Sequence, residues 1–489
     1  MEQQPFDSTD RPLNSRPLVV DLDGTLIQTD LLFESVSVFF TSHPLQFLKL
    51  FKWGKQGKSI LKKNLALACH LDPAHLPYNK TLTAWLEQQK REGRQIILAT
   101  ASHQHYAEAI AIHLNFFDEV LATHDDINLK AETKRDTLIA RFGPGGFDYV
   151  GNHADDIPVW QYAKEAYLVS NSSSFIEKIN RLGNLTKVFP NDKPTTVQAL
   201  MKALRLYQWV KNLLIFLPLI AAHMFGSLHS DLLASLAFIA FGLTASSVYL
   251  LNDLIDVSDD RHHHRKRQRP FAAGHLSLKL GWILWPILFF SAFTISAFCL
   301  PYRFLAVLST YFCLSFFYSI KLKRMAILDV LALATLYTLR IIAGALAIGV
   351  LPSFWLLSFS MFIFLSLAFL KRFNELKAAR LEGFQDYLHG RGYTHQDLEI
   401  VSQMGICAGY LSVLVLALYI QDAHTAKLYL TPNFIWLACP ILLYWISRTH
   451  LIAHRGNMHD DPIIFAINDR VSWAVALCFI GVFVLAKFA

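Results

Sequence analysis

Two groups of acidic residues stand at spacings that could do chemistry. The first is Asn252-Asp253-Leu-Ile-Asp256-Val-Ser-Asp259-Asp260, which follows directly on a long apolar run. On a helix, Asp253, Asp256 and Asp260 fall at i, i+3 and i+7 and share one face, with Asn252 adjoining Asp256. Carboxylates crowded at a membrane boundary repel one another and are costly to desolvate. A hard divalent cation removes both penalties, and Mg²⁺ brings substrate phosphates with it. Arg261, Lys266, Arg267 and Arg269 follow at once. Acids and bases together suit a clamp for a metal-complexed diphosphate, whereas acids alone would read as a solvated loop.

The second group is Asp21-Leu-Asp23-Gly-Thr-Leu26, after the buried run Leu18-Val-Val. On extended backbone two acids two residues apart point the same way. Such a pair can divide labour, with Asp21 the nucleophile at phosphorus and Asp23 the general acid and base. Thr100 ends a second apolar strand and could hold a phosphate oxygen. Lys134 could neutralise a phosphoryl intermediate. Gly151-Asn152-His-Ala-Asp155-Asp156 follows a third strand, and Asn152 and Asp156 with Asp21 and Asp23 could complete a Mg²⁺ site. His103, His105, His113 and the run His262-His263-His264 read as ordinary surface or interfacial residues.

Further polar residues sit within or beside apolar runs, where lipid would penalise them. Arg340 lies inside one run, either as a functional cation or as the partner of an acid. Asp329 opens the same run and could bind a second metal or orient Lys323. Arg205, Gln208, Lys211 and Asn212 line the start of the first run, where an amphipathic interfacial helix would also explain the cations. Lys371 and Arg372, with Glu375, end another run and could be topogenic flanks. Asp460 to Asp469 precede the last run.

The elements that must position these residues divide the 489-residue chain in two. Residues 1–17 read as a disordered tail with no signal peptide. Residues 18–187 read as an α/β domain of Rossmann-like type, with strands near 18, 95–100 and 147–151 and a helical segment over 31–95. Residues 188–200 form a linker in which Thr195 or Thr196 can cap the next helix. Residues 201–489 hold nine apolar spans of roughly 17–24 residues, bilayer length, near 212–229, 232–253, 279–300, 302–320, 328–350, 353–371, 402–421, 432–449 and 470–488. The first contains Pro218. The composition is 53% hydrophobic, too apolar for an ordinary soluble protein. The net charge of +7 gathers in alternate loops, the mark of membrane topology rather than of nucleic-acid binding. Lys and Arg cluster after spans two, four, six and eight. That pattern places those loops and the N-terminal domain in the cytoplasm, and the protein in the inner (cytoplasmic) membrane, with the C-terminus outside. Six cysteines, none in a CxxC pair, read as small hydrophobes in a reducing setting.

Asn-Asp-x-x-Asp-x-x-x-Asp followed by Lys266, Arg269, Pro270 and Gly274 resembles the UbiA-type intramembrane prenyltransferase superfamily over about residues 200–489. That resemblance implies an all-α domain of nine helices around a cytoplasm-facing cavity. A second Asp-x-x-x-Asp, common in prenyl-transferring members, stops here at Asp329, because position 333 is Leu. Arg205-x-x-Gln208-Trp-x-Lys211-Asn212, Asp329-Val, Leu339-Arg340, Lys371-Arg372 with Glu375, and Asp461-Pro462 look instead like the decaprenyl-phosphate phosphoribosyltransferase branch. The implied donor is phosphoribosyl diphosphate, the implied acceptor a polyprenyl phosphate and the implied cofactor Mg²⁺. Asp253 and Asp256 would be catalytic and, with Asp260, bind the metal. Arg205, Gln208, Lys211, Asn212, Asn252, Lys266, Arg269, Lys323, Asp329, Arg340, Lys371 and Arg372 would bind substrate. Asp21, Asp23, Thr100, Lys134 and Asp156, in that order, resemble a haloacid-dehalogenase-type phosphatase with residues 31–95 as its helical cap. It departs from that pattern at Asn152, where an Asp is common. The expected activity is a bifunctional one, in which the phosphatase removes the 5′-phosphate after phosphoribosyl transfer. The alternatives are prenyl transfer to an aromatic acceptor, a catalytically inactive regulatory N-terminal domain, or a transporter. The acidic motif argues against the last, since transport paths use broken helices and paired midplane acids.

Overall fold

The computed structural model describes residues 16–124, 129–191, 193–222, 224–263, 266–381, 391–421, 429–458 and 461–488. The expected tail, apart from its last two residues, lies outside these, as do His264 and Asp460. The chain forms two compact units. One comprises Met1–Arg205 with Tyr249–Trp285, and the other Leu206–Val248 with Pro286–Ala489.

The first unit is built on a parallel sheet of six strands: β1 (Leu18–Val20), β2 (Ile96–His103), β3 (Glu119–Thr123), β4 (Asp148–Gly151), β5 (Ala166–Val169) and β6 (Leu185–Phe189), in the order β3-β2-β1-β4-β5-β6. Leu18 faces both Ile96 and Asp148 in register, so β1 is central. Its side chains alternate between two cores. Leu18 and Val20 pack with Leu98, Leu82, Leu86 and Ile110, while Val19 packs with Ile97, Leu138, Tyr149 and Trp160. Burial on both faces explains why these strands read as continuous apolar runs. The three strands read from sequence are β1, β2 and β4, whereas β3, β5 and β6 were not anticipated. Strand order reverses at β1, which makes the carboxyl ends of β1 and its neighbours the natural place for a ligand.

The segment after β1 is helical, as expected: Leu31–Ser42, Leu48–Gln56, Lys58–Ala68 and Lys80–Arg91. Asp30 caps the first of these, accepting from the Leu32 amide at 2.9 Å, and Asn79 caps the last, accepting from Leu82 at 3.1 Å. Within the expected linker, Thr195 caps the helix Thr196–Leu204.

Eight helices among the described residues are long and apolar enough to cross a membrane: Leu228–Ile255, Leu278–Cys299, Tyr302–Ile320, Leu328–Ala347, Phe354–Arg380, His395–Ile420, Pro432–His454 and Arg470–Phe488. They coincide with eight of the nine expected spans. The expected span at 212–229 is not among them. Its residues form a 3₁₀ stretch, Leu206–Phe216, and a five-residue helix, Leu217–Ala221. Pro218 lacks the amide a continuous helix would need and sits in the first turn of the short one, where that loss costs nothing. In the second unit this segment lies against the helix Leu328–Ala347 at Gly344, where an added Cβ would come within 2.0 Å of the Ile215 carbonyl oxygen. Gly344→Ala must therefore displace backbone. It should cost about 1–3 kcal/mol, read as a lower unfolding temperature of the detergent-purified chain. An unchanged unfolding temperature would contradict this packing.

Candidate functional site

At the carboxyl end of β1 the group of Asp21 and Asp23 assembles around Lys134, which the helix Glu132–Phe142 carries inward. Lys134 Nζ lies 2.7 Å from Asp21 Oδ1 and donates to the Tyr149 hydroxyl at 2.9 Å. Tyr149 in turn donates to Asp156 Oδ1 at 2.7 Å. Thr25 donates to Asp21 Oδ2 at 3.1 Å. The other Asp156 oxygen accepts from the Asn152 and His153 amides at 3.1 and 3.0 Å. Asp21, Lys134, Thr100 and Asp156 are all buried. Burial pushes the Asp21 carboxyl up, and Asp156 adds to that rise against the pull of Lys134. Burial also opposes the charge on Lys134, but Asp21 and Asp156 outweigh it and hold the ammonium above its usual range.

Asp23 has a different environment. Its oxygens accept from the Leu31 amide at 2.9 Å and the Ser102 hydroxyl at 2.6 Å. Burial, with help from Asp30, pushes its carboxyl up to about 7. A paired carboxylate beside one poised near neutrality is the division a nucleophile and an acid–base need. Gly24 has φ +78°, and a Cβ there would meet the Asn152 amide nitrogen at 2.3 Å, so the loop after β1 and the loop after β4 close on each other. Asp21, Asp156 and the Asn152 amide bring hard oxygen donors to one end of the sheet, a set that fits Mg²⁺. Ser102, Tyr149 and Thr25 escaped the sequence reading, although each lies within two residues or on the very strand of a residue that did not. Thr100 is engaged by the Ser102 amide at 3.0 Å.

The group from Asn252 to Asp260 also lies in the first unit. The helix Leu228–Ile255 ends through Asn252 and Asp253, and a short helix, Val257–His262, continues it. The Asp256 amide donates to the Asn252 carbonyl and the Asp260 amide to the Asp256 carbonyl, each at 2.8 Å, so the helical spacing persists across the junction. Asp253 and Asp260 are both buried. Arg205 lies 2.6 Å from Asp253 Oδ1, and Arg269 bridges the two acids at 3.1 Å to Asp253 and 2.7 Å to Asp260. Arg205, in a left-handed conformation at φ 51°, also stacks over Tyr249 at 4.8 Å. Burial pushes the Asp260 carboxyl up to about 6 despite Arg269. Asp256 is half-buried on the same turn, and Lys266 lies on the turn Lys266–Gln268. Three carboxylates on one helical face supply the hard oxygens that Mg²⁺ takes, and the two guanidiniums supply donors for phosphate oxygens. Arg261 has a separate role: it pairs with Glu34 of the helix Leu31–Ser42 at 2.5 and 3.0 Å and donates to the Ala272 carbonyl at 2.9 Å. It thereby fastens the basic loop to the helical segment after β1.

The second unit gathers the remaining polar residues into two networks. Lys211 Nζ donates to Asp461 Oδ2 at 2.5 Å, and Lys371 lies 3.9 Å from the same oxygen. Asp461 also caps the helix Pro462–Asn468 through the Ile463 amide at 3.0 Å. Burial would raise its carboxyl, but Lys211 and Lys371 hold it below the usual range. Arg340 donates to Asn212 Oδ1 at 2.9 Å and to the Tyr311 hydroxyl at 3.1 Å. Its guanidinium packs over Phe241, Tyr311 and Tyr337 at 4.9–5.4 Å. The acid partner expected as one explanation of Arg340 is replaced by neutral oxygens and aromatic faces. Asn212 Nδ2 is buried and has no hydrogen-bond partner among the described residues. Gln208 donates to the Tyr207 hydroxyl at 3.2 Å.

Asp329 and Arg372 form the other network. Both are fully buried and lie 2.6 Å apart. Tyr393 donates to Asp329 Oδ1 at 2.7 Å, and Arg372 also pairs with Glu375. The Val330 amide takes a further bond to Asp329, at 2.8 Å. These contacts brace the start of the helix Leu328–Ala347 against Phe354–Leu381. Lys323 lies on the preceding turn, Leu322–Arg324. Arg372→Met leaves a buried carboxylate without its counter-charge and should cost about 3–5 kcal/mol. The pair Asp329→Asn/Arg372→Met should cost less than the sum of the single changes. Detergent unfolding curves of the three variants test this, and strict additivity would contradict the brace.

Comparison with known proteins places these arrangements. Residues 213–474 match the UbiA prenyltransferase family. An uncharacterized protein, y4nM, of Sinorhizobium fredii is 35% identical over 482 residues, covering 98% of this chain and 92% of that protein. The nodulation protein NoeC of Azorhizobium caulinodans is 38% identical over 285 residues, covering 57% of this chain and 89% of NoeC. A decaprenyl-phosphate phosphoribosyltransferase of Mycolicibacterium smegmatis is 31% identical over 290 residues, covering 58% of this chain and 91% of that enzyme. The family match spans more than half of the chain and takes in the acidic helix end, the basic loop and the Asp329–Arg372 pair: the chain belongs to the UbiA prenyltransferase family, as an integral membrane protein with an added N-terminal α/β domain.

Proposed function

We propose that the chain transfers phosphoribose from phosphoribosyl diphosphate to a polyprenyl phosphate, and that its α/β domain then removes the 5′-phosphate. The observation that carries the transferase reading is the pair of buried acids Asp253 and Asp260 with half-buried Arg205 and Arg269, in which carboxylates and guanidiniums already alternate within hydrogen-bond reach. Arg205 and Arg269 would shift from their acids to the diphosphate oxygens when substrate binds, with Lys266 and Asn252 as further donors. Asp253, Asp256 and Asp260 would hold Mg²⁺, which when bound neutralises charge on the leaving diphosphate. An oxygen of the lipid phosphate attacks C1 of the ribose, the bond from C1 to the diphosphate breaks, and diphosphate departs. The substrate choice is supported by likeness to the decaprenyl-phosphate phosphoribosyltransferase and by Leu333, which leaves Asp329 without the second acid of an Asp-x-x-x-Asp pair. In the second unit, Asn212 has a buried amide donor without a partner among the described residues, beside Arg340, and so suits an oxygen-rich substrate group. Lys211 and Lys371 are proposed as further cations for an anionic substrate.

The phosphatase reading rests on Asp21 beside Lys134, with Asp23 poised near neutrality. The Asp21 carboxylate would attack phosphorus while Asp23 delivers a proton to the departing 5′-oxygen. Water activated by Asp23 would then release phosphate from Asp21. Lys134 offsets charge at the intermediate, and Ser102 and Leu31 orient Asp23. The basic loops argue that both chemistries face the cytoplasm.

Purified protein given labelled phosphoribosyl diphosphate, polyprenyl phosphate and Mg²⁺ should form a labelled lipid. Chelation of the metal should abolish it, and Asp253→Asn should lower the rate by at least about 100-fold. Prenylation of an aromatic acid, without labelled lipid, would overturn the substrate assignment. In the same assay Asp21→Asn should accumulate the 5′-phosphorylated lipid that wild type converts. The same product ratio in both would sink the phosphatase role.

A further inference from the structure

The helical segment after β1 carries a surface that neither chemistry uses. Between Ser35 and Leu71 the sequence holds six lysines and no Asp or Glu. The turn Pro44–Gln46 and the helix Leu48–Gln56 display large apolar side chains outward: Leu45 is 95% exposed, Leu48 65% and Phe51 68%. On the helix, Leu48 and Phe51 share one face with Lys52 and Lys55, while Leu50 and Trp53 turn inward to pack about Phe39. Exposed Leu and Phe ringed by lysine, with no acid, is the composition of a helix that lies in a membrane interface.

Its neighbours fix where that interface is. The Trp282 indole donates to Ser37 Oγ at 3.2 Å, and its ring lies 5.5 Å from that of Phe40, itself 6.3 Å from Phe47. Trp282 stands four residues into the span Leu278–Cys299, about 6 Å along its axis at 1.5 Å per residue. Thr41 donates to the carbonyl of Ile255, the last residue of the span Leu228–Ile255, at 3.0 Å. One end of the helix Leu31–Ser42 is thus bonded to the ends of two spans, and Leu45, Phe47, Leu48 and Phe51 follow it directly.

We infer that the turn Pro44–Gln46 and the helix Leu48–Gln56 sit in the headgroup layer of the bilayer crossed by the chain's own spans. Leu45, Leu48 and Phe51 enter the acyl boundary, and Lys49, Lys52 and Lys55 meet anionic phospholipid. The continuity with Trp282 and Ile255 selects the lipid surface over a second protein. The charge selects an anionic leaflet. The α/β domain would then be held to the membrane at two places, through its covalent junction and through this helix.

The test uses the full chain in vesicles of phosphatidylcholine and phosphatidylglycerol, with benzoylphenylalanine placed at position 48, 51 or, as an exposed control on the α/β domain, 162. After illumination, mass spectrometry should find phospholipid adducts at 48 and 51, at least fivefold above those at 162. The variant Lys49→Glu/Lys52→Glu/Lys55→Glu should reduce the yield at 51 at least threefold in vesicles rich in phosphatidylglycerol. Adducts at 48 and 51 no more frequent than at 162, or adducts to a second protein chain in place of lipid, would overturn the inference.

Discussion

Buried carboxylates at the edge of a membrane are tolerable only when something compensates their charge, and Arg269 does this for two of them at once. By bridging Asp253 and Asp260 it allows the acidic helix end to stay folded and desolvated. Arg205 adds a second guanidinium on Asp253. Such a cluster is compensated but replaceable, because a cation and a phosphate can substitute for the partners each group now has. The same logic recurs at Lys134 between Asp21 and Asp156, where a buried ammonium holds two acids in reach of one another.

Not every buried charge in the molecule belongs to this class. Asp329 Oδ1 accepts from Tyr393 and from its neighbouring amide, and Oδ2 lies 2.6 Å from the Arg372 guanidinium as an ion pair. Arg261 is likewise consumed by Glu34 and by the Ala272 carbonyl. These pairs fix helix starts and loops. Arg340 stands between the two classes: its partners are neutral, and a buried amide donor beside it is unmatched among the described residues. Charge with satisfied partners braces, and charge with spare or exchangeable partners is where chemistry is to be sought.

The sequence made some of this legible and hid the rest for physical reasons. The i, i+3, i+7 spacing of Asp253, Asp256 and Asp260 is a local property, and it survives as helical hydrogen bonding across Ile255. Eight spans were legible because apolar length alone defines them. The expected span at 212–229 is not among these eight: Pro218 sits in the first turn of a five-residue helix that follows a 3₁₀ stretch, a break that apolar length alone does not reveal. The strands β3, β5 and β6 are only four or five residues long and β6 carries the exposed polar side chains of Thr186 and Lys187, so their pattern does not rise above that of a loop. The pairings of Lys211 with Asp461 and of Arg261 with Glu34 join residues more than two hundred positions apart, a distance over which spacing says nothing.

The central claim is that the acids and guanidiniums around Asp253 form a cation-dependent diphosphate site. Equilibrium binding of inorganic diphosphate to the purified chain, followed as free Mg²⁺ is varied, addresses it most directly. The account predicts binding that requires Mg²⁺, that weakens at least tenfold in Asp253→Asn, and that persists in Asp21→Asn. Binding that is independent of Mg²⁺, or that Asp253→Asn leaves unchanged, would contradict it.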